Sequence, residues 1–194
     1  LRILSAEKLF QKIKIANSKT THPLGVELKS IQGGFLLQQK DNFPNEIQDE
    51  DFSKIPSQIQ KDILFGEKVV ASLKSNAIAI VSSNPHGNEL PSYQLTNDQV
   101  KGSVTVGLGM GQVNRVDSVK LAIERMQKFF PNVKDPVLVS DAFFPFPDSV
   151  ELIAKAGIRW IVQPGGSVKD DEVLQKAQEL NVQMLLTKTR HFKH

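Results

Sequence analysis

Residues 104–130 read VTVGLGMGQVNRVDSVKLAIERMQKFF, and their apolar pattern changes period part-way along. Val104 to Leu108 is a short β-branched run of the kind that forms a buried strand. Glycines at 107, 109 and 111 interrupt it. Val116, Val119, Ile123, Met126 and Phe130 then recur at three- and four-residue steps, which places them on one helical stripe. The unit predicted is strand, glycine loop, helix.

The same alternation continues downstream. Val137 to Ser140 reads as a strand, about Asp148 to Ala156 as a helix, Arg159 to Gln163 as a strand, Asp170 to Leu180 as a helix, and Gln183 to Thr187 as a strand. Upstream, a helix starting near Pro56 carries Ile59, Ile63, Gly66, Val70 and Leu73 on one face, and Ala77 to Val81 is a short apolar strand. Short strands alternating with helices predict a three-layer α/β domain with a largely parallel or mixed sheet. Residues 1–55 read as an N-terminal strand and linker, and 56–194 as the α/β unit. In the first part, Lys29 to Gln39 is expected to be one strand interrupted by a bulge at Gly33-Gly34, with Asp41 to Ser53 a polar linker. Ser82 to Gln99, containing Asn84-Pro85-His86-Gly87, lacks periodicity and reads as a surface excursion.

A chain of 194 residues with 40% hydrophobic content accommodates one substantial domain or two small ones. No apolar run is long enough to span a bilayer, and LRILSAEKLFQKIKI at the start lacks a small-residue cleavage site, so a soluble, cytoplasmic protein is expected without a membrane partner. With no cysteine there is no disulfide, thiolate nucleophile or cysteine-ligated metal. A net charge of +3 from interspersed charges forms no basic stripe, and a nucleic-acid partner is not expected. No His, Asp and Glu cluster has metal-ligand spacing, and no serine sits in a Gly-x-Ser-x-Gly elbow. The first residue is Leu1 rather than Met, and the chain is expected to be a fragment.

Four loops at strand ends are candidate sites: Lys74-Ser75-Asn76, Gly107 to Arg115, Ser140 to Asp148, and Pro164 to Ser167. Gly107, Gly109 and Gly111 form either a phosphate cradle before a helix N-terminus or a plain tight turn. Their spacing fits neither a dinucleotide fingerprint nor a P-loop. Arg115 reads as a bidentate phosphate clamp or as a solvated surface arginine. In SDAFFPFPD at 140–148 the aromatic rings either stack on a planar heterocycle or plug the end of the sheet. Asp148 reads as a helix N-cap, as a carboxylate in a heterocycle pocket, or as both. Ser167, three residues before Asp170, resembles a capping box. Arg190, His191 and His194 near a sheet edge are either an anion site or a fraying terminus, while His22 and His86 are expected to be solvated.

Taken together, KSNAI at 74–78, GLGMGQVNRVDSVKLA at 107–122, SDAFFPFPD at 140–148, QPGGS at 163–167 and RHFKH at 190–194 resemble, in order, the C-terminal half of the AICAR transformylase family. This is the domain that the bifunctional purine biosynthesis proteins carry alongside IMP cyclohydrolase. The resemblance spans about residues 25–194. It implies a fold similar to cytidine deaminase, but without the cysteines that fold needs for zinc. It also implies formyl transfer from formyltetrahydrofolate, as co-substrate and with no metal, to aminoimidazole carboxamide ribonucleotide (AICAR), with sites shared across a homodimer.

Carried over by position, the resemblance assigns Asn76, Arg115, Phe143 and Arg190 to the nucleotide. Asn76 would hydrogen-bond it, Phe143 would pack on its imidazole, and Arg190 would anchor it near the phosphate. Asp148 would contact the pterin, and Val116, Ser167 and Val168 would line the folate pocket. The role of His194 stays open. The family's base and its electrostatic partner, an adjacent Lys-His pair, belong to the upstream half of that domain. No such dipeptide is expected in this chain, and Thr21-His22-Pro23-Leu24-Gly25 does not fit its flanks. The chain alone is therefore expected to be catalytically silent. Its partners would be that upstream half and the cyclohydrolase domain of the same polypeptide. The competing expectation is a noncatalytic α/β module that binds a nucleotide or folate.

Overall fold

The computed structural model describes residues 2–4, 26–39, 47, 52–87, 102–191 and 193. The chain divides into two compact units, Leu1–Asn42 and Phe43–His194. In the first, β1 (Arg2–Leu4), β2 (Val26–Ile31) and β3 (Gly34–Gln39) form an antiparallel sheet in the order β1-β3-β2. The bulged single strand expected from Lys29 to Gln39 is in fact a hairpin, with Ile31 paired to Gly34. The physical reason is Gly33, whose φ of +79° supplies the left-handed residue a tight hairpin turn requires.

The second unit is built from α1 (Ser57–Ser72), β4 (Ile78–Ser82), β5 (Val104–Gly109), α2 (Arg115–Phe129), β6 (Val137–Ser140), α3 (Asp148–Lys155), β7 (Trp160–Gln163), α4 (Asp170–Glu179) and β8 (Gln183–Leu186). These bounds follow the sequence pattern to within a residue or two. The sheet order is β5-β4-β6-β7-β8. It is mixed: β4 runs antiparallel to both β5 and β6, whereas β6, β7 and β8 are parallel.

Both faces of the sheet are buried, and alternate residues of each strand enter different layers. Ile78 and Ile80 of β4 pack with Val119, Ile123 and Met126 of α2, Ile153 of α3 and Val173 of α4. Ala79 and Val81, the residues between, pack with Ile59, Ile63 and Val70 of α1. One helix therefore covers one face and three cover the other, giving the expected three layers. Burying a strand on both sides demands an unbroken apolar run, which β4 and β6 supply.

The glycines of the 104–130 stretch act chiefly in packing. Gly107 and Gly109 lie on β5 itself, where an added Cβ would sit 2.2 Å from the Ala122 carbonyl oxygen and 1.9 Å from that of Ser118. They let β5 approach the backbone of α2 more closely than any side chain permits. Only Gly111, at φ +68°, serves as a turn residue.

Gly109→Ala is expected to lower the unfolding free energy by at least about 1–3 kcal/mol, since helix backbone cannot yield as a side-chain tip can. Gly157 has φ +83° and open space around it, so Gly157→Ala should cost only the left-handed strain, about 1–2 kcal/mol. Urea denaturation of the two variants checks the contrast.

Candidate functional site

Because β4 runs against its neighbours, its N-terminal end lies at the same sheet edge as the C-terminal ends of β5, β6, β7 and β8. The four loops picked out from sequence thus meet at one edge, although one precedes its strand and three follow theirs. The C-terminal segment closes the group by crossing the strand ends. Lys188 N–H donates to the Pro164 carbonyl at 3.1 Å, and His191 N–H to the Asp141 carbonyl at 2.9 Å. Ser75 N–H donates to the Lys193 carbonyl at 2.9 Å, while Lys193 N–H donates to Ser75 Oγ at 3.1 Å.

At the centre is an ion pair between Arg115 and Asp141, 7% and 0% exposed. Arg115 Nη1 donates to Asp141 Oδ1 and, at 2.9 Å, to Ser140 Oγ. Its Nη2 donates to Asn76 Oδ1 at 2.9 Å. Ser75 Oγ donates to the second carboxylate oxygen of Asp141 at 2.6 Å. The solvated-surface expectation for Arg115 does not hold, and its Nη1 is committed to Ser140 and Asp141. A carboxylate this deep requires a paired cation.

Asn76 is fixed from both ends. Its Nδ2 donates to the carbonyls of Gln112 at 3.0 Å and Val113 at 3.2 Å, and its own carbonyl accepts from Ser118 Oγ at 2.8 Å. The N-terminus of α2 is already capped, with Asn114 Oδ1 accepting from Asp117 N–H at 2.8 Å. The acidic Asp117 in that first turn offsets the positive helix end that a phosphate cradle would exploit. With Gly107 and Gly109 inside β5, the cradle reading of the glycine loop does not hold.

The aromatic loop divides its roles. Phe144 is wholly buried in the core, and its N–H donates to Gln163 Oε1 at 2.7 Å, which is the plug. Phe146 is 56% exposed. Phe143 is half-buried and lies under the Arg190 guanidinium, 4.9 Å from ring centroid to Cζ. The contact sets an exposed cation over a half-buried ring at this edge.

The candidate folate residues stand at or beside helix starts on this edge. Val116 is in the first turn of α2, Asp148 begins α3, and Ser167 and Val168 precede α4. Val168 is fully exposed. Asp148 is exposed and is not an N-cap: the cap position is Pro147, which already has helical φ and ψ, and Asp148 is the first helical residue. The capping box at Ser167 is also altered. Ser167 Oγ accepts from Lys169 N–H at 3.1 Å rather than from Asp170, and the Asp170 carboxylate reaches back to Gly166 N–H at 2.7 Å.

Sequence reasoning missed Asp141, Ser75, Glu67 and the burial of His191. The one available signal was an aspartate directly following the apolar strand VLVS, a position already at the interior. His191, expected to belong to an anion site or to fray, is 1% exposed, and its Nε2 lies 2.9 Å from Glu67 Oε2 on α1. His86 is not fully solvated either: its ring lies 5.8 Å from that of Phe130. His22 and His194, the 88–99 part of the excursion and most of the 41–53 linker lie outside the described residues. Among the described residues no group of three or more His, Cys, Asp or Glu is placed to hold a metal, and no helix is long and apolar enough to cross a membrane.

The family model for the AICARFT/IMPCHase bienzyme matches residues 1–125. The chain belongs to this bienzyme family. The bifunctional purine biosynthesis protein PurH of Desulfitobacterium hafniense (strain Y51) is 40% identical over 99% of this chain and 33% of its own length. PurH of Staphylococcus haemolyticus is 42% identical over 87% of this chain and 30% of its own length. The chain thus spans about a third of the bienzyme relatives it matches. A dCMP deaminase from cyanophage S-TIM5 aligns over 67% of the chain at 16% identity with a TM-score of 0.39, too low to bear on fold or function. The bienzyme family is purine-biosynthetic, in keeping with the resemblance.

One sequence expectation needs correcting at this terminus. A Lys-His dipeptide is present, as Lys193-His194. The backbone N–H of Lys193 donates to Ser75 Oγ in the pre-β4 loop, while His194 lies outside the described residues.

Removing one member of a buried ion pair strands the other. Asp141→Ala is expected to destabilise the unit by about 3–5 kcal/mol, and the double change Asp141→Leu with Arg115→Met by less, because apolar replacement of both partners leaves no buried charge. Urea unfolding of both variants provides the comparison.

Proposed function

We propose that this chain supplies nucleotide- and folate-binding residues for formyl transfer from formyltetrahydrofolate to AICAR, giving formyl-AICAR in purine synthesis. The observation that carries the reading is the gathering of Asn76, Arg115, Phe143 and Arg190 at one sheet edge, in a chain of the bienzyme family. Asn76 and Arg115 are held by a buried network and would present a fixed polar edge to the nucleotide. Phe143 would pack on the flat imidazole, and Arg190, exposed beside it, would meet the phosphate. A fixed donor set of this kind binds without paying for reorganisation at the moment of reaction.

Asp148, exposed at the start of α3, suits a pterin because a carboxylate accepts two parallel N–H bonds from a guanidine-like edge. Val116, Ser167 and Val168 at the neighbouring helix starts would flank that ring. In the transfer, the AICAR amine attacks the formyl carbon, a new C–N bond forms, and the bond from formyl carbon to folate nitrogen breaks. The amine proton leaves to a base, and the folate nitrogen takes up a proton. The base and its lysine partner belong, on this reading, to an upstream segment of the same polypeptide. The cyclohydrolase domain and a second copy of the chain would complete the assembly.

Isothermal titration of the 194-residue chain with AICAR should show binding that Phe143→Ala and Arg190→Ala each weaken about tenfold, a loss usual for a well-placed aromatic or arginine contact. Absence of any difference between these variants and the parent would sink the assignment. In a spectrophotometric folate assay the purified chain should form no formyl-AICAR above background, since losing a general base and an electrostatic partner costs several orders of magnitude in rate. A normal rate would mean that the chemistry resides in this chain.

A further inference from the structure

The C-terminal segment is held at two depths. Arg190 is exposed and faces Phe143, while its neighbour His191 is 1% exposed and turned to Glu67, 124 positions away in sequence. Glu67 belongs to α1, the helix on the sheet face opposite α2, α3 and α4, and none of the nucleotide or folate candidates lies on it. Packing alone does not call for a carboxylate here. Ile63 and Val70, one helical turn away on either side, hold α1 to the sheet by apolar contact. Glu67 is 4% exposed, and among the described residues its Oε1 has no hydrogen-bond partner. A buried carboxylate in that condition is costly, and an apolar side chain would fill the position at lower cost. What an apolar side chain does not supply is a directional bond to the histidine that precedes the site-facing end of the chain.

We propose that Glu67 and His191 form a buried latch that fixes the register of the C-terminal segment, so that Arg190 stands over Phe143 at the nucleotide-facing edge. Glu67 is then a positioning residue, acting through His191 and Arg190 from the far side of the sheet. The backbone bonds of the segment, His191 N–H to Asp141 and the Ser75 to Lys193 pair, are compatible with small slides of an irregular terminal segment. The side-chain bond at 2.9 Å is what selects one register. The nucleotide part of this inference rests on the function proposed above.

Glu67→Leu and Glu67→Gln both keep a medium-sized side chain at the position and differ chiefly in whether they can bond His191, so comparing them separates the latch from gross loss of packing. With the 194-residue chain, tryptic cleavage after Arg190, followed by mass spectrometry under conditions where circular dichroism reports a folded domain, should be about tenfold faster in Glu67→Leu than in the parent, as for a segment released to local opening. Glu67→Gln should remain close to the parent. Equal rates in all three proteins, or equal acceleration in both variants, would overturn the latch. Should Glu67→Leu fail to fold, His191→Leu against His191→Gln makes the same comparison from the other partner.

The second measurement is affinity for AICAR against its nucleoside, which lacks the phosphate. Glu67→Leu should weaken the nucleotide about tenfold and leave the nucleoside unchanged, as should Arg190→Ala. A purely structural role would move both ligands together and would count against positioning. If Arg190→Ala leaves nucleotide affinity intact, the assignment of Arg190 fails while the cleavage result still decides the latch. If Arg190→Ala weakens the nucleotide and Glu67→Leu does not, the latch fails and the assignment stands.

Discussion

The carboxylate of Asp141 is the point on which the candidate site depends. It is fully buried, and its two oxygens are taken by Arg115 from α2 and Ser75 from the loop before β4. Its backbone adds two more ties, donating to the Ala77 carbonyl and accepting from His191 N–H. Three segments far apart in sequence are thereby fixed to one residue at the end of β6. An isolated charge at this depth would be prohibitively costly, so the partners are obligatory and their geometry is narrow. Arg115 in turn sets the side chain of Asn76. The polar edge offered to a ligand is a consequence of satisfying one buried anion.

Around this centre, the sheet supplies rigidity and the loops supply access. Gly107 and Gly109 let β5 and α2 lie backbone to backbone, which brings the helix start, and with it Arg115, close enough to reach Asp141 and Ser140. The apolar strands β4 and β6 are buried on both faces and hold the loop ends in register. Phe144 and Gln163 seal the sheet end beneath the aromatic loop, which leaves Phe143 and Phe146 at the surface. In this chain of the purine-biosynthetic bienzyme family, the edge combines fixed polar groups, a half-buried ring and an exposed cation.

Several elements were legible because their signals are local. The stripe Val116, Val119, Ile123, Met126, Phe130 located α2, and the apolar runs located β4, β6 and β7, since helix and strand periods are properties of a few consecutive residues. The candidate loops were legible for a related reason, because the ends of strands in α/β sheets are where side chains can converge. The hairpin at Gly33 was misread as a bulge, because a glycine serves either turn geometry and only the pairing partner distinguishes them. The glycines at 107 and 109 read from sequence as either a phosphate cradle or a tight turn, and neither reading reaches their packing role, because that depends on a helix backbone more than eight residues away. Arg115 was legible as a candidate, but its burial was not, since that depends on Asp141 arriving from another strand.

The sequence by itself determined the layer architecture, the positions of nearly every element in the α/β unit and, through the motifs at 74–78, 107–122, 140–148, 163–167 and 190–194, the family. These rest on periodicity and on residue identity, which need no third dimension. Tertiary structure alone decided the antiparallel placement of β4, which turns a loop before a strand and loops after strands into one site. It also decided that His191 is buried against Glu67 while the adjacent Arg190 faces outward. Both are matters of which distant groups meet. Pairing across 124 residues is set by the sheet order and by the requirement that buried polar groups find partners, and neither leaves a mark on the residues nearby in sequence.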